Sequence, residues 1–363
     1  MIRNRFIISG GGTGGHIYPA LSIAKQINKS FKNSEIKFIG AIGRMEMNIV
    51  PKYGYKIHGL FISGLQRTLS IKNILLPFKV LISLIQSIYI IINFKPRFVI
   101  GTGGFASFPI VFMSAIFKIP TLIQEQNSYP GISNRLLSRY TDYVSVAYDG
   151  MEKYFPSKKI YKTGNPIRES IKSRENFINQ REKLGIEKDK LVLTVLGGSL
   201  GSDKINKTIK ENLGYLTSKN IFIIWQCGKN YLKDYINFKS ENIFITDFIE
   251  DIDTIYYSSD IIIARSGALT LSELAIVSKP SILIPSPNVA ENHQLKNAKK
   301  IEEKNACICI EEKDLDLIFK NKLDLLINNE NLRDTLSNNI SLIALPNASD
   351  DIVELIKKRL VND

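Results

Sequence analysis

His16 closes the glycine-rich run Gly10-Gly11-Gly12-Thr13-Gly14-Gly15, which follows the apolar residues Phe6-Ile7-Ile8. A strand that feeds a glycine loop opening a helix aims backbone N–H groups and the positive helix end at one point, suiting a phosphate or an oxyanion. An imidazole at that helix start is biased toward its neutral form and can accept a proton as a general base. A second loop of this kind, Gly197-Gly198-Ser199-Leu200-Gly201, follows Leu191-Val192-Leu193-Thr194-Val195-Leu196. Gly101-Thr102-Gly103-Gly104 makes a third, and Gln124-Glu125-Gln126-Asn127 ends another apolar run with polar side chains. Later, Arg265-Ser266-Gly267-Ala268-Leu269-Thr270-Leu271-Ser272-Glu273 turns from a strand into a helix. A carboxylate at Glu273, one turn in, can accept from the two hydroxyls of a ribose; capping that turn is its plainer role.

Two familiar chemistries fit these loops only in part. Gly10 to Gly15 satisfy the dinucleotide fingerprint, which also wants an acid ending the second strand. That strand ends Phe38-Ile39-Gly40-Ala41, so NAD is disfavoured. The second loop satisfies G-x-S-x-G, and Ser199, then Asp260 or Glu273, then His293 stand in the chain order of an α/β-hydrolase triad. Such a hydrolase leaves the first glycine loop without a task. Three histidines and three cysteines without a Cys/His cluster predict no metal site, and the cysteines read as buried thiols in a reducing compartment.

The elements that must carry these loops alternate strand and helix through both halves. Strands are expected at residues 5–9, 36–40, 98–101, 121–124, 143–146 and 160–163, then at 191–196, 221–226, 243–246, 261–264, 281–284 and 307–310. Alternation of this kind predicts parallel sheets with helices on both faces. A chain of 363 residues suits two such domains. Gly164-Asn165-Pro166 marks the turn between them, giving a first domain at 1–164 and a second at 165–346. A last helix at 347–363, with Asp350 and Asp351 in its first turn and Lys357, Lys358 and Arg359 in its last, is expected to dock back on the first domain.

The chain begins directly in its first strand, with no signal peptide expected. Residues 74–92 form an apolar helix interrupted by Lys79, Ser83, Gln86 and Ser87 on one stripe, too broken for a membrane span. Arg67, Lys72, Lys79, Lys95 and Arg97 bracket it, so a lipid-facing helix and a buried helix with a solvated rim are both open. A net charge of +13 is spread along the chain, without the clustered Lys/Arg and interleaved aromatics of a nucleic-acid surface.

Eight segments occur in one order: GGTGGHIYPA (11–20), GRMEMNIVPKYG (43–54), GTGGFASFP (101–109), QEQN (124–127), TGNPIR (163–168), GGSLGS (197–202), TDFIEDI (246–252) and RSGALTLSEL (265–274). Together they resemble the bacterial undecaprenyldiphospho-muramoylpentapeptide β-N-acetylglucosaminyltransferases, over nearly the whole chain. The resemblance implies a GT-B fold: two Rossmann-like, doubly wound parallel-sheet domains facing a cleft. It implies transfer of GlcNAc from UDP-GlcNAc, with inversion, to the C4 hydroxyl of a polyprenyl-diphosphate-linked muramoyl-pentapeptide. No cofactor is implied. The enzyme would sit peripherally on the cytoplasmic face of the inner membrane, on anionic lipid, with no nucleic-acid partner. The first domain would face acceptor and membrane, and the second would bind UDP-GlcNAc.

Carried onto this chain, Thr13, Gly14 and Gly15 would lie against the sugar diphosphate and Asn127 near the reacting sugar. Arg168 and Ser199 would face the diphosphate. Ile249 would line the uracil pocket, Ala268, Leu269, Thr270, Leu271 and Ser272 would surround the nucleotide, and Glu273 would hold the ribose. Gln294 would bind GlcNAc hydroxyls, although the loop Asn288-Val289-Ala290-Glu291-Asn292-His293-Gln294 lacks the His-Lys-Asp run of many relatives. His16 is the expected base and Glu125 the alternative. Another GT-B enzyme, such as a UDP-GlcNAc epimerase, is the runner-up.

Overall fold

The computed structural model describes residues 4–64, 74–172, 180–198 and 200–361. The chain divides into two compact units, Met1–Arg168 with Leu345–Asp363, and Glu169–Ala344. The division falls four residues beyond Gly164 because Asn165 belongs to the first unit. Its side chain accepts from Gln124 Nε2 at 2.9 Å and donates to the Gln126 carbonyl at 3.1 Å.

The first unit holds a seven-stranded parallel sheet in the order β3-β2-β1-β4-β5-β6-β7. These strands are β1 (Asn4–Gly10), β2 (Ser34–Ala41), β3 (Lys56–Leu60), β4 (Phe98–Gly103), β5 (Thr121–Glu125), β6 (Tyr143–Val146) and β7 (Ile160–Lys162). The crossing from β1 back to β4 creates the switch point at which open α/β sheets place ligands, beyond the carboxyl ends of the strands. Strand β3 escaped the sequence pattern. Lys56-Ile57-His58-Gly59-Leu60 has one fully buried side chain, Leu60, and sits at the sheet edge, where packing imposes little on composition.

Both faces of this sheet are covered. Phe6, Ile8, Phe38 and Ile100 pack against Ile17, Ile23 and Ile27 of helix Gly14–Ser30. The last helix, Ala348–Val361, joins the same core through Ile352, Val353, Leu355 and Ile356. Its first-turn Asp350 accepts from Gln26, and Arg359 pairs with Asp142 at 3.5 Å. On the opposite face Ile7, Ile39, Val99 and Ile123 pack against Ile90, Ile91 and Phe94 of helix Leu76–Phe94 and against helix Ser107–Ile116.

Helix Leu76–Phe94 reverses the orientation that a polar stripe suggests. Ser83 and Ser87 are fully buried, their hydroxyls returned to the carbonyls of Val80 and Ser83 at 2.7 Å each. Phe78, Leu81, Ile82, Ile85, Tyr89 and Ile92 point outward, with Phe78 65% and Tyr89 69% exposed. Small hydroxyls that satisfy their own helix permit close approach to the sheet, which leaves the bulky side chains for the outside. The helix is long and apolar enough to cross a bilayer, and Ser83, Ser87, Ile90, Ile91 and Phe94 are its buried residues. Arg67 and Lys72 lie outside the described residues.

The second unit holds a six-stranded parallel sheet in the order β10-β9-β8-β11-β12-β13. Its strands are β8 (Leu191–Leu196), β9 (Ile221–Gln226), β10 (Ile243–Thr246), β11 (Ile261–Ala264), β12 (Ser281–Leu283) and β13 (Ile308–Cys309). β8 is buried on both faces, which explains its unbroken apolar run. Trp225, fully buried, donates its indole N–H to Asn206 Oδ1 at 2.9 Å and meets the tilted ring of Tyr235, fixing helix Asp203–Glu211 over the sheet.

Candidate active site

In the first unit, β1 delivers Gly10 to Gly15 beside the loop that ends β4. Gly104 has φ +79°, and a Cβ there would lie 2.3 Å from the Gly11 carbonyl; at Gly103 it would lie 2.8 Å from His16 Nδ1. The glycines of the third loop therefore make the slot in which the imidazole sits. Thr102 Oγ1 donates to the His16 carbonyl at 2.8 Å. His16 Nδ1 stands 3.0 Å from Gln126 Oε1. Burial pushes the His16 pKa below its usual value, against the opposing pull of Glu125, the hydrogen bonds of Gln126 and Thr102, and the more distant Glu46. The ring is thus a neutral base at neutral pH.

Glu125, at the end of β5, is buried. Its Oε1 accepts from the Asn127 backbone N–H at 3.0 Å and from Asn127 Nδ2 at 3.2 Å. Its Oε2 accepts from the Gly131 N–H at 3.1 Å and from Asn134 Nδ2 at 2.9 Å. A carboxylate holding four donors shapes the loop that presents Asn127.

The first glycine loop is not bare, contrary to the sequence reading. Glu46, fully buried, accepts the Gly12 N–H at 2.9 Å with Oε2 and the Ala41 N–H at 3.0 Å with Oε1. A Cβ at Gly11 would meet Glu46 Oε1 at 2.2 Å. The acid missing from the end of β2 thus comes five residues later, from the short helix Glu46–Ile49, and it holds the loop. Thr13 remains the exposed N-cap of helix Gly14–Ser30, without a side-chain cap, and Gly14 and Gly15 follow in its first turn. Arg168 lies at the other end of this unit's chain, its guanidinium 5.7 Å from the centre of the Tyr18 ring.

In the second unit the glycine loop is pinned by Gln226, whose Nε2 donates to the Gly198 carbonyl at 2.8 Å and the Asp247 carbonyl at 2.9 Å. Gly201 has φ +83°, and a Cβ there would lie 2.1 Å from the Cys227 carbonyl. Ser199 lies outside the described residues. Ser202 caps the next helix, accepting from the Ile205 N–H at 3.3 Å and from Arg265 Nη2 at 2.6 Å. Arg265 also donates to the Ile284 carbonyl at 3.0 Å and pairs with Glu312.

Helix Ala268–Val277 carries Ala268, Leu269, Thr270, Leu271, Ser272 and Glu273, and begins with no side-chain cap and no acidic residue in its first turn. Glu273 Oε2 accepts from Tyr256 Oη at 2.9 Å. Gln294 accepts the Ser286 N–H at 2.8 Å with Oε1, while its carbonyl accepts from Ser266 Oγ at 2.8 Å. Ile249, partly buried, packs against the cluster of Ile186, Val192, Phe222, Ile224 and Ile255. Gln294 and helix Ala268–Val277 are therefore linked through Ser266.

The geometry speaks against Asp260 as the acid of a hydrolase triad. Asp260 accepts the Val192 N–H at 2.8 Å and pairs with Arg181 at 2.6 Å. It sits at the amino ends of β8 and β11, the opposite sheet edge from Gly197-Gly198. Four residues of strand, roughly 13 Å, separate the two. Glu273 is engaged by Tyr256.

Comparison with known proteins agrees with this geometry. Residues 6–146 match the glycosyltransferase family 28 N-terminal domain, and residues 192–352 match the family 28 C-terminal domain. The chain belongs to glycosyltransferase family 28. A relative from Flavobacterium psychrophilum is 48% identical over 360 residues, covering 99% of this chain and 98% of its own. It is named UDP-N-acetylglucosamine–N-acetylmuramyl-(pentapeptide) pyrophosphoryl-undecaprenol N-acetylglucosamine transferase. The crystal structure of Acinetobacter baumannii MurG superposes with a TM-score of 0.76 at 25% identity, over 98% of this chain and 99% of that one. A UDP-GlcNAc 2-epimerase from Neisseria meningitidis shares the fold alone, with a TM-score of 0.67 at 15% identity over 98% of this chain and all of that one. The family 28 chain is thus a glycosyltransferase of GT-B architecture, and the epimerase reading is not favoured.

Four structurally engaged residues lay outside the sequence-based candidates: Glu46, Gln126, Tyr256 and Arg265. Glu46, Gln126 and Arg265 stand inside segments that carried the resemblance.

Proposed function

We propose that this family 28 glycosyltransferase moves GlcNAc from UDP-GlcNAc to the C4 hydroxyl of a polyprenyl-diphosphate-linked muramoyl-pentapeptide, with inversion. The observation that carries the chemistry is His16: a neutral imidazole at a helix start, seated by two glycines and bonded to Gln126. As the acceptor oxygen forms its bond to the sugar C1, its proton passes to His16. The C1–O bond to UDP breaks, and its electron pair leaves with the diphosphate. His16 is the preferred base over Glu125, whose oxygens already accept four N–H groups.

On the donor side, Glu273, oriented by Tyr256, holds the ribose. The open start of helix Ala268–Val277 and the loop with Ser199 receive the diphosphate, with Arg168 as a further cation. Ile249 lines the base pocket and Gln294 takes the GlcNAc hydroxyls. Thr13, Gly14, Gly15 and Asn127 approach the sugar diphosphate from the first unit, which takes the acceptor. The outward row from Phe78 to Ile92, flanked by Lys79, Lys95 and Arg97, supports a docking face for the anionic cytoplasmic leaflet of the inner membrane.

The test incubates the chain with labelled UDP-GlcNAc and polyprenyl-linked muramoyl-pentapeptide. Labelled lipid-linked disaccharide is expected, and none should form without acceptor. Release of epimerised sugar nucleotide in the absence of acceptor would overturn the assignment.

A further inference from the structure

Gln126 is buried at the end of β5, and both ends of its amide are committed. Its Nε2 donates to the Thr102 carbonyl at 2.7 Å, has the Gln124 carbonyl at 3.3 Å, and also meets Gln124 Oε1. These partners are acceptors only, so turning the amide over would set oxygen against oxygen at three contacts. Gln126 Oε1 must therefore be the atom that faces His16 Nδ1 at 3.0 Å. An amide oxygen has no proton to give, so the hydrogen in that bond belongs to the imidazole.

We propose that Gln126 is a positioning residue that locks His16 as the Nδ1–H tautomer, leaving Nε2 with the ring's free lone pair. Gly103 completes the device, because a Cβ there would lie 2.8 Å from His16 Nδ1 in the ring held against Gln126, while a Cβ at Gly104 would collide with the Gly11 carbonyl beside it at 2.3 Å. The proton-accepting atom is thereby set by a neutral amide, itself anchored to the backbone of β4 and β5. A carboxylate partner in its place would add a charge and strengthen the imidazolium, whereas an amide fixes direction alone. The inference deepens the proposed role of His16 and rests on that reading only for its kinetic consequence.

The chain has three histidines, so long-range 1H–15N correlation of the labelled protein resolves every imidazole, with His16 identified by its loss in His16→Asn. At neutral pH, Nδ1 of His16 should show a protonated-nitrogen shift and Nε2 a lone-pair shift. The reverse pattern, or an even mixture, overturns the proposal without recourse to any variant. Gln126→Leu should mix the tautomers and lower kcat about 10–100-fold while the KM for UDP-GlcNAc stays within twofold. Gln126→Glu keeps an acceptor for Nδ1–H, so it should restore the single orientation of the ring, while its charge strengthens the imidazolium and moves the acidic limb of kcat to higher pH. A single unchanged tautomer in a folded Gln126→Leu protein would equally defeat the lock. Were His16→Ala to keep full turnover while the wild-type tautomer is as expected, the base assignment would fall and the lock would stand.

Discussion

The two main glycine loops look alike in sequence and differ in what the protein has already put on them. In the first unit a buried carboxylate, Glu46, holds the loop through the N–H groups of Gly12 and Ala41. In the second, the following helix is capped by the neutral Ser202, which shares its hydroxyl with the guanidinium of Arg265. The carboxylate occupies the Gly12 N–H and leaves only the helix start at Thr13 to Gly15 open, whereas Arg265, paired with Glu312, anchors the second loop without adding net charge to it. On the proposed function, the same motif frames a base in one unit and receives a leaving group in the other. Glycine spacing reports that backbone comes close to something; the neighbour's charge decides to what.

That contrast can be broken from either side. His16→Ala should lower kcat by about 10²–10⁴, the worth of a positioned base, with UDP affinity by calorimetry nearly unchanged. Glu46→Ala leaves two buried N–H groups unsatisfied, at roughly 1–3 kcal/mol each, and should lower the denaturation midpoint of the first unit. Donor affinity should hold within twofold in that variant, because the helix start at Thr13 to Gly15 keeps its N–H groups; a large loss would mean that the Gly12 N–H itself binds the diphosphate.

Glu273→Ala should behave oppositely, weakening UDP binding by about 1.5–3 kcal/mol, the scale of hydrogen bonds to a charged group, with stability little changed. The pH profile sharpens the assignment of the base. With its pKa lowered by burial, His16 stays unprotonated below its ordinary value near 6.5, so the acidic limb of kcat should fall under that pH. The unfolded chain takes up that proton more readily, so His16 also costs stability as the pH drops from about 6.5 toward the folded value. The smallest effect is expected at the surface. Ile85→Ser should change stability by no more than about 0.5 kcal/mol while reducing sedimentation with anionic vesicles, whereas Ser83→Leu on the buried stripe should destabilise.

Much of this was legible beforehand, for physical reasons. Strands buried on both faces, such as Leu191–Leu196, announce themselves as apolar runs, and all twelve expected strands formed. Edge strand Lys56–Leu60 did not announce itself, because exposure removes the pattern. Helix Leu76–Phe94 was visible as a helix with a serine stripe, yet the stripe's direction was not. A hydroxyl that can bond its own backbone reads as polar in sequence and behaves as small in packing. His16 and Glu273 stood out by residue type and position in a motif. Gln126 and Glu46 did not, since their roles depend on partners far along the chain.

Local pattern and composition alone determined the α/β alternation, the glycine turns and the residues able to carry charge or a proton. Tertiary structure alone decided which loop was already filled by a carboxylate, which nitrogen of His16 bears the hydrogen, and which side of the apolar helix meets the outside. Each of those depends on atoms brought together across tens of residues or more, and no local spacing encodes a partner that only folding supplies.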